Sequence, residues 1–363
     1  MTNRRTKTQG EHGQVLALFA GSLVVIVLVV GLVIDGSYGL AQRRGAQNSA
    51  DFAAIAGARI IAEWVTGDTT NGTDANVKAA ITTAIAANGA SALTFGVAGS
   101  PRYVDNNGAI VPEVGSAASY VGNGTIPPST AGVKVAASLS WRPFFLGVAG
   151  VSSWTASAEA TAKGGFAAAS QPGAVFPAGI ALAFFQTYPF CSGPVGSSPS
   201  CQPQQLTPGN LNVPGGFGWL KFGCDGYGLG QDPPANAGGC GNDSNFLKLE
   251  MGPPSNSFGC CTQVTGVAGQ DRIGSLPGNK VDVSGSCDYY INNNVILTVP
   301  VWDTAGGTGS NAYYHIIGFA GFQLTGCNGG KNMSGVWRKQ FFLGPTTTTQ
   351  GSTFTRLAVQ LVR

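Results

Sequence analysis

The segment VLALFAGSLVVIVLVVGLVI, Val15 to Ile34, holds 20 residues without a charge. As a helix rising about 1.5 Å per residue it is about 30 Å long, the thickness of a bilayer's hydrocarbon core. A transmembrane helix over residues 14–35 is therefore expected. A cleaved signal peptide would carry an apolar stretch of only about 7–15 residues and a small-residue cut site. Here the run is longer and passes through Asp35 into a helical pattern with no clear A-x-A cleavage site. Arg4, Arg5 and Lys7 precede it, so the positive-inside rule makes residues 1–13 a cytoplasmic tail. Arg43 and Arg44 beyond the span pull the other way.

The cysteines decide the orientation. Cys191, Cys201, Cys224, Cys240, Cys260, Cys261, Cys287 and Cys327 all lie in the second half of the chain. An even count confined to one region reads as a disulfide framework, which needs an oxidising compartment. That places the C-terminal part outside the cytoplasm, on a single-pass protein of the plasma membrane. Zinc is the competing use, but no C-x-x-C occurs and the sequence has only two histidines, His12 and His315. The pairs Cys191/Cys201 and Cys224/Cys240 are close enough in sequence to staple single loops, and spacing leaves the rest of the connectivity open.

Composition narrows the function. Charged residues make up 10% of the 363, and 55 are Gly, against about 25% charged and about 7% Gly in an average soluble domain. Coiled coils, helical bundles and acidic tails are excluded, and a β-rich chain with many turns is favoured. A net charge of +3 with no concentration of Lys and Arg argues against nucleic acid as a partner. So few histidines nearly exclude His-based enzyme chemistry, and no cofactor or metal is expected.

Residues 36–65 lack proline and read as a helix prolonging the span, with Ala53, Ala56, Ile60 and Trp64 as an apolar stripe. Gly36, Gly39, Gly45 and Gly57 point to bending or close packing. A second helix has Asp74 as its cap, Val77, Ile81 and Ile85 on one face, and Asn88-Gly89 at its end. Alternation in VKVAASLSW and WTASAEATA gives two strands, joined by the apolar RPFFLGVAG, so that residues 36–163 form a small α+β unit. Gly164 to Gly173 reads as a linker. Residues 174–363 read as a Cys-rich β domain with short strands at VFPAGIALAF, GWLKF, FLKLEM, NVILTVPVWD, YYHIIGFAGFQL and FTRLAVQLVR.

Several short motifs lack the surroundings their chemistry needs. Asp282, Ser284 and Ser286 match D-x-S-x-S, the metal-ion-dependent adhesion site of von Willebrand A domains, whose oxygens suit Mg²⁺. That site needs a buried apolar strand before the Asp, whereas LPGNKV stands there, so turn-and-strand residues are expected. GCDGYGLG, Gly223 to Gly230, lacks the strand–helix context of a dinucleotide loop. His315 in YYHIIGF reads as a structural strand residue, because nothing nearby in sequence supplies a nucleophile.

The segment from Gly13 to Arg59 resembles the N-terminal domain of TadE/TadG-like proteins of the Flp (tight adherence) pilus-assembly system. Gly13-Gln14, the span, Asp35 at its outer edge, Arg43-Arg44, Ala46-Gln47, Ala50-Asp51 and Ala53-Ala54-Ile55-Ala56 follow the family pattern in order. Relatives cut by a prepilin peptidase carry a Gly before the cut and a Glu five residues into the apolar run. Val15 or Leu18 stands there after Gly10 or Gly13, so an uncut, permanently anchored chain is expected.

The resemblance implies an α+β architecture: a transmembrane helix extended into a small pilin-like unit, then a disulfide-stapled, mostly-β extracytoplasmic domain. It implies a non-enzymatic, membrane-anchored structural component of a Flp/Tad-type pilus assembly or secretion apparatus. Its partners would be the membrane, other pilus-assembly proteins, and the cell envelope or pilus fibre. Asp35, Gln47, Asp51, Ala53 and Ala56 would belong to the assembly helix. The alternative is a membrane-tethered adhesin or ligand-binding module, with Trp219, Tyr289, Tyr290, Trp302, Tyr313 and Tyr314 available to line a site.

Overall fold

The computed structural model describes residues 11–97, 99–112, 119–148, 150–167, 175–185, 190–207, 217–220, 247, 251, 272–276, 284–307, 312–328, 332–344, 346–347 and 356–362. The helices are α1 (Glu11–Val65), α2 (Asp74–Ala87), the single turn α3 (Leu182–Phe185) and α4 (Ser284–Asn292). The strands are β1 (Arg102–Val104), β2 (Gly132–Trp141), β3 (Trp154–Ala167), β4 (Ala178–Ala181), β5 (Gln204–Leu206), β6 (Phe217–Trp219) and β7 (Arg272–Gly274). They continue with β8 (Ile296–Gly306), β9 (Tyr313–Asn328), β10 (Asn332–Arg338), β11 (Gln340–Leu343), β12 (Thr346–Thr347) and β13 (Arg356–Val362).

Helix α1 is continuous for 55 residues, roughly 80 Å of axis. Its apolar first part, with Leu18, Phe19 and Leu28 among the exposed side chains, packs on almost nothing in the protein. Its second part lies across β2, β3 and β13 and beside α2. The buried stripe is Ala46, Ala50, Ala53, Ala54, Ala58, Ile61 and Ala62. The expected stripe is corrected here: Ala53 faces the sheet, while Ala56, Ile60 and Trp64 lie half-buried on another face. The inward face is set by where the smallest residues fall, because only they let a helix backbone approach a sheet so closely. A side-chain carbon placed at Gly57 would lie 2.8 Å from Val133, and one at Gly164 would overlap the Ala58 carbonyl oxygen.

Helix α2 is capped by Thr73, whose Oγ1 accepts the Asn76 N–H at 3.3 Å. Asp74, the expected cap, sits one residue inside. Its carboxylate turns to the loops, taking the Tyr103 hydroxyl at 2.5 Å and the Gly122 and Gly124 N–H groups at 2.8 and 2.7 Å. Gly89 closes the helix with φ +66°, which suits a residue without Cβ. Val77, Ile81 and Ile85 are buried, and burying each side chain of this size contributes about 1.5–3 kcal/mol.

The first sheet runs β1-β2-β3-β13-β11, with β12 also on β3. β11 and β13 are parallel, and the other pairs are antiparallel. On β2, Val133, Val135 and Ala137 point inward, the period of two that the sequence carries. The second sheet runs β5-β10-β9-β8-β4-β6, with β7 on β9. Its core gathers Phe176, Ile180, Phe185, Trp219, Val299, Val301, Phe322 and Trp337.

Two features cross the boundary expected at residues 164–173. β3 continues through Ala167, because β13 pairs with it from Thr161 to Phe166 and its residues from Gly164 to Ala167 are all buried. Residues 168–173 lie outside the described residues. β11, β12 and β13, from the region read as a separate β domain, complete the first sheet. The expected strand VFPAGIALAF becomes the short β4 followed by the turn α3. GWLKF enters β6 with Gly218 and Trp219, its Lys221 and Phe222 lie outside the described residues, and so does most of FLKLEM. Ser284 and Ser286 begin α4 rather than a turn and strand, and Asp282 lies outside the described residues.

Candidate functional site

The candidate site is built where α1 meets the β2–β3 hairpin. Asp35, one residue past the apolar run, is fully buried. Its carboxylate accepts the backbone N–H groups of Phe144, Phe145 and Leu146 at 2.8, 2.9 and 2.7 Å. Three successive amides around one carboxylate make a nest, satisfied by a full negative charge. One turn earlier, a side-chain carbon at Gly31 would lie 2.6 Å from the Phe145 ring. Higher up, Gly39 faces Trp141 at 3.4 Å and Gly45 faces Leu139 at 2.9 Å on the same construction. The hairpin thus descends α1 along a column of glycines. Tyr38 meets Trp141 and Phe144 edge-on at 6.0 and 5.5 Å, and Trp141 stacks on Trp154 at 5.7 Å. Sequence reasoning placed Asp35 at the edge of the span but missed its partners. The usable signal was RPFFLGVAG itself, an apolar stretch where a surface turn is ordinarily polar.

The remaining residues of the expected assembly helix separate. Gln47 is exposed, and its Nε2 donates to Asp51 Oδ1 at 2.7 Å and to the Glu159 carbonyl at 3.4 Å. Ala53 is buried against the chain's own sheet, as Asp35 is buried against its own hairpin. Ala56 lies on the outward side with Phe52, Ile55 and Ile60. With Ala80 and Thr83 of α2 they line an open, mainly apolar groove of about 700 Å³. Phe52 is 57% exposed there, a large ring on a surface that no element among the described residues covers.

A second cavity, about 640 Å³, lies where the end of α1 meets the second sheet, lined by Arg59, Glu63, Gln323, Arg338, Lys339 and Phe341. Lys339 Nζ donates to Glu63 at 3.3 Å and to Asp68 at 2.5 Å. The bond from Lys339 holds the Asp68 carboxyl well below the usual carboxylate range, against its partial burial. Those carboxylates raise the Lys339 ammonium although burial opposes them. Arg59 lies 4.3 Å above the Phe341 ring. Arg338 bonds Gln323 Oε1 and the Cys191 and Gly193 carbonyls. These charges are locked to fixed partners, an arrangement that fastens α1 to the second sheet.

In the second sheet Cys191 is bonded to Cys201 and Cys287 to Cys327. Cys224, Cys240, Cys260 and Cys261 lie outside the described residues. His315 is buried on β9 with Nδ1 2.6 Å from Asp303 Oδ1. Trp219, Tyr290, Trp302 and Tyr314 are buried in the core, Tyr313 is half-buried and Tyr289 exposed, so four of the six aromatics considered for a binding groove are packing residues. Among the described residues no group of three or more His, Cys, Asp or Glu side chains could hold a metal ion.

No curated protein and no solved structure matches the chain. One family model does, that of the putative Flp pilus-assembly TadE/G-like proteins. It covers residues 13–59, the stretch of α1 that contains the apolar run, Asp35 and most of the small-residue stripe, and over that stretch the chain is similar to the TadE/G-like Flp pilus-assembly proteins.

Proposed function

We propose that the chain is a non-enzymatic structural component of a Flp-type pilus assembly or secretion apparatus, held in the plasma membrane by α1. Residues 1–13 face the cytoplasm, and both sheets stand outside. One observation carries the reading. The family-matched helix is a single rod whose apolar half protrudes unpacked, while its other half is the backbone of a folded head. A rod of this kind transmits position from the bilayer to the head without a hinge. The two bonded cysteine pairs support an oxidising compartment for the head.

Contact with other assembly proteins falls to the outward α1–α2 groove rather than to Asp35 and Ala53, whose side chains are already used inside the fold. Phe52→Asp with Thr83→Arg places opposite charges on two exposed groove positions and spares the core. Co-purification of other pilus-assembly proteins from detergent extracts, and pilus number by microscopy, should both fall while the protein accumulates normally. Unchanged co-purification and piliation would refute this surface. Topology is checked separately: in intact cells a membrane-impermeant thiol reagent should label Thr82→Cys and leave Asn3→Cys untouched.

A further inference from the structure

Three contacts fix how far the β2–β3 hairpin descends α1: Leu139 beside Gly45, Trp141 beside Gly39 and Phe145 beside Gly31. Gly31 lies three residues inside the apolar run that ends at Ile34, about 4.5 Å at the helical rise. If α1 spans the bilayer, the tip at Phe145 cannot stay in bulk water, because its contact point on α1 is below the membrane edge.

The tip is built for that position. Between Arg142 and Trp154 the sequence PFFLGVAGVSS carries no charge. Phe144 is 62% exposed and Val148 91%, with Phe145 and Val151 also open. Apolar surroundings demand that backbone donors be satisfied internally. Asp35 takes the N–H groups of Phe144, Phe145 and Leu146. Those of Val148, Gly150 and Val151 reach the carbonyls of Phe145, Gly147 and Leu146. Just above stand Tyr38, Trp141 and Trp154, amphipathic rings of the kind that collect at headgroup level. Arg142 is exposed beside them, placed for lipid phosphate.

We propose that the β2–β3 tip is a second membrane contact, a wedge seated at the headgroup–acyl boundary of the bilayer that α1 crosses. Together with the span it fixes the rotation and tilt of the head, which one helix alone leaves free. The proposal rests on the reading of α1 as a membrane span.

The test uses the full chain in phosphatidylcholine–phosphatidylglycerol vesicles, with a nitroxide on Val148→Cys, Leu28→Cys or Thr82→Cys, all three exposed positions. Power-saturation measurements compare access of oxygen, which concentrates in lipid, with a water-soluble nickel chelate. At Val148 oxygen access should exceed nickel access, reversing the order at Thr82, with a depth shallower than at Leu28. A water-like Val148 beside a lipid-buried Leu28 overturns the wedge and leaves the span standing. Water-like behaviour at both positions overturns the span and the wedge with it. Dipolar broadening between Val148 labels that disappears on dilution with unlabelled protein means a second copy covers the tip, and also overturns the proposal.

Discussion

Replacing Asp35 tests whether the carboxylate is a mark of polarity at the membrane edge or the peg on which the hairpin hangs. Its three amide bonds span 2.7–2.9 Å, the range of charge-assisted hydrogen bonds. Such bonds are worth about 1.5–3 kcal/mol each. Taking the lower figure, because the tip lies at the periphery, Asp35→Ala loses about 4–5 kcal/mol of local stability. Asp35→Asn keeps one oxygen but loses the charge and points an amide N–H toward donors, so about 2 kcal/mol is expected. At about 1.4 kcal/mol per tenfold, local opening rises roughly 30-fold for Asn and roughly 1,000-fold for Ala. Hydrogen–deuterium exchange of the detergent-solubilised protein, read on the peptide covering Phe144–Leu146, reports that opening. Amides of α2 serve as the internal reference, since no bond joins them to Asp35. If Asp35 only marks the membrane edge, Asn is as good a mark as Asp and exchange stays at its native rate. That result, or an equal rise throughout α2, would refute the peg.

Gly164→Ala should be severe, since its Cβ would overlap the Ala58 carbonyl and force α1 off the sheet. A loss of about 3 kcal/mol or more is expected, read as a fall in thermal midpoint. Gly36→Ala is the control: it meets nothing within 4 Å and should gain about 0.5–1 kcal/mol. The Lys339–Asp68 link gives a signed pH dependence. The depressed Asp68 contributes fully above its unfolded value near about 3.9 and loses that contribution as pH falls through its lower folded value. The raised Lys339 contributes fully below about 10.4 and loses it as pH rises beyond. Denaturant midpoints should therefore fall more steeply between pH 5 and 2 in the native chain than in Lys339→Met; parallel curves would discount the pair. Opening the Cys191–Cys201 bond, ten residues apart, by replacing both with Ser should cost about 2–3 kcal/mol of unfolding free energy, and an unchanged midpoint would show that the Arg338 bonds alone hold this loop.

Local order was legible in the sequence. The apolar run, the uninterrupted helix to Val65, the α2 face and the alternating strands β2 and β3 are written in short-range periodicity, and β8, β9 and β13 in short apolar runs bounded by turn residues. What periodicity omits is the partner. Asp35 reaches amides 109–111 residues away, and a lone Asp after an apolar run looks the same with or without them. The inward face of α1 escaped for a related reason. Alanine is apolar but small, so an Ala-rich helix carries little contrast between faces, and the choice is made by where a sheet can come closest. The linker reading failed at Gly164, where glycine serves close approach rather than flexibility. His315 and four of the six aromatics behave as core, which burial on strands explains for all but Tyr290, packed into the core from α4.

The position of β13 has a consequence for how the molecule is made. It lies between β3 and β11, so the sheet beside α1 stays open along β3 until residues 356–362 have been made. If the head is exported as proposed, the anchor is in place first and the strand that closes its own sheet arrives after the Cys191–Cys201 and Cys287–Cys327 loops. Until then β3 offers a row of free amides and carbonyls to any other extended chain. Deletion after residue 173 would remove that closing strand and leave an unfinished edge next to the bilayer. Under the proposed topology, a first sheet closed by β13 marks a chain translocated through residue 362, which a machine that admits only closed sheets would register.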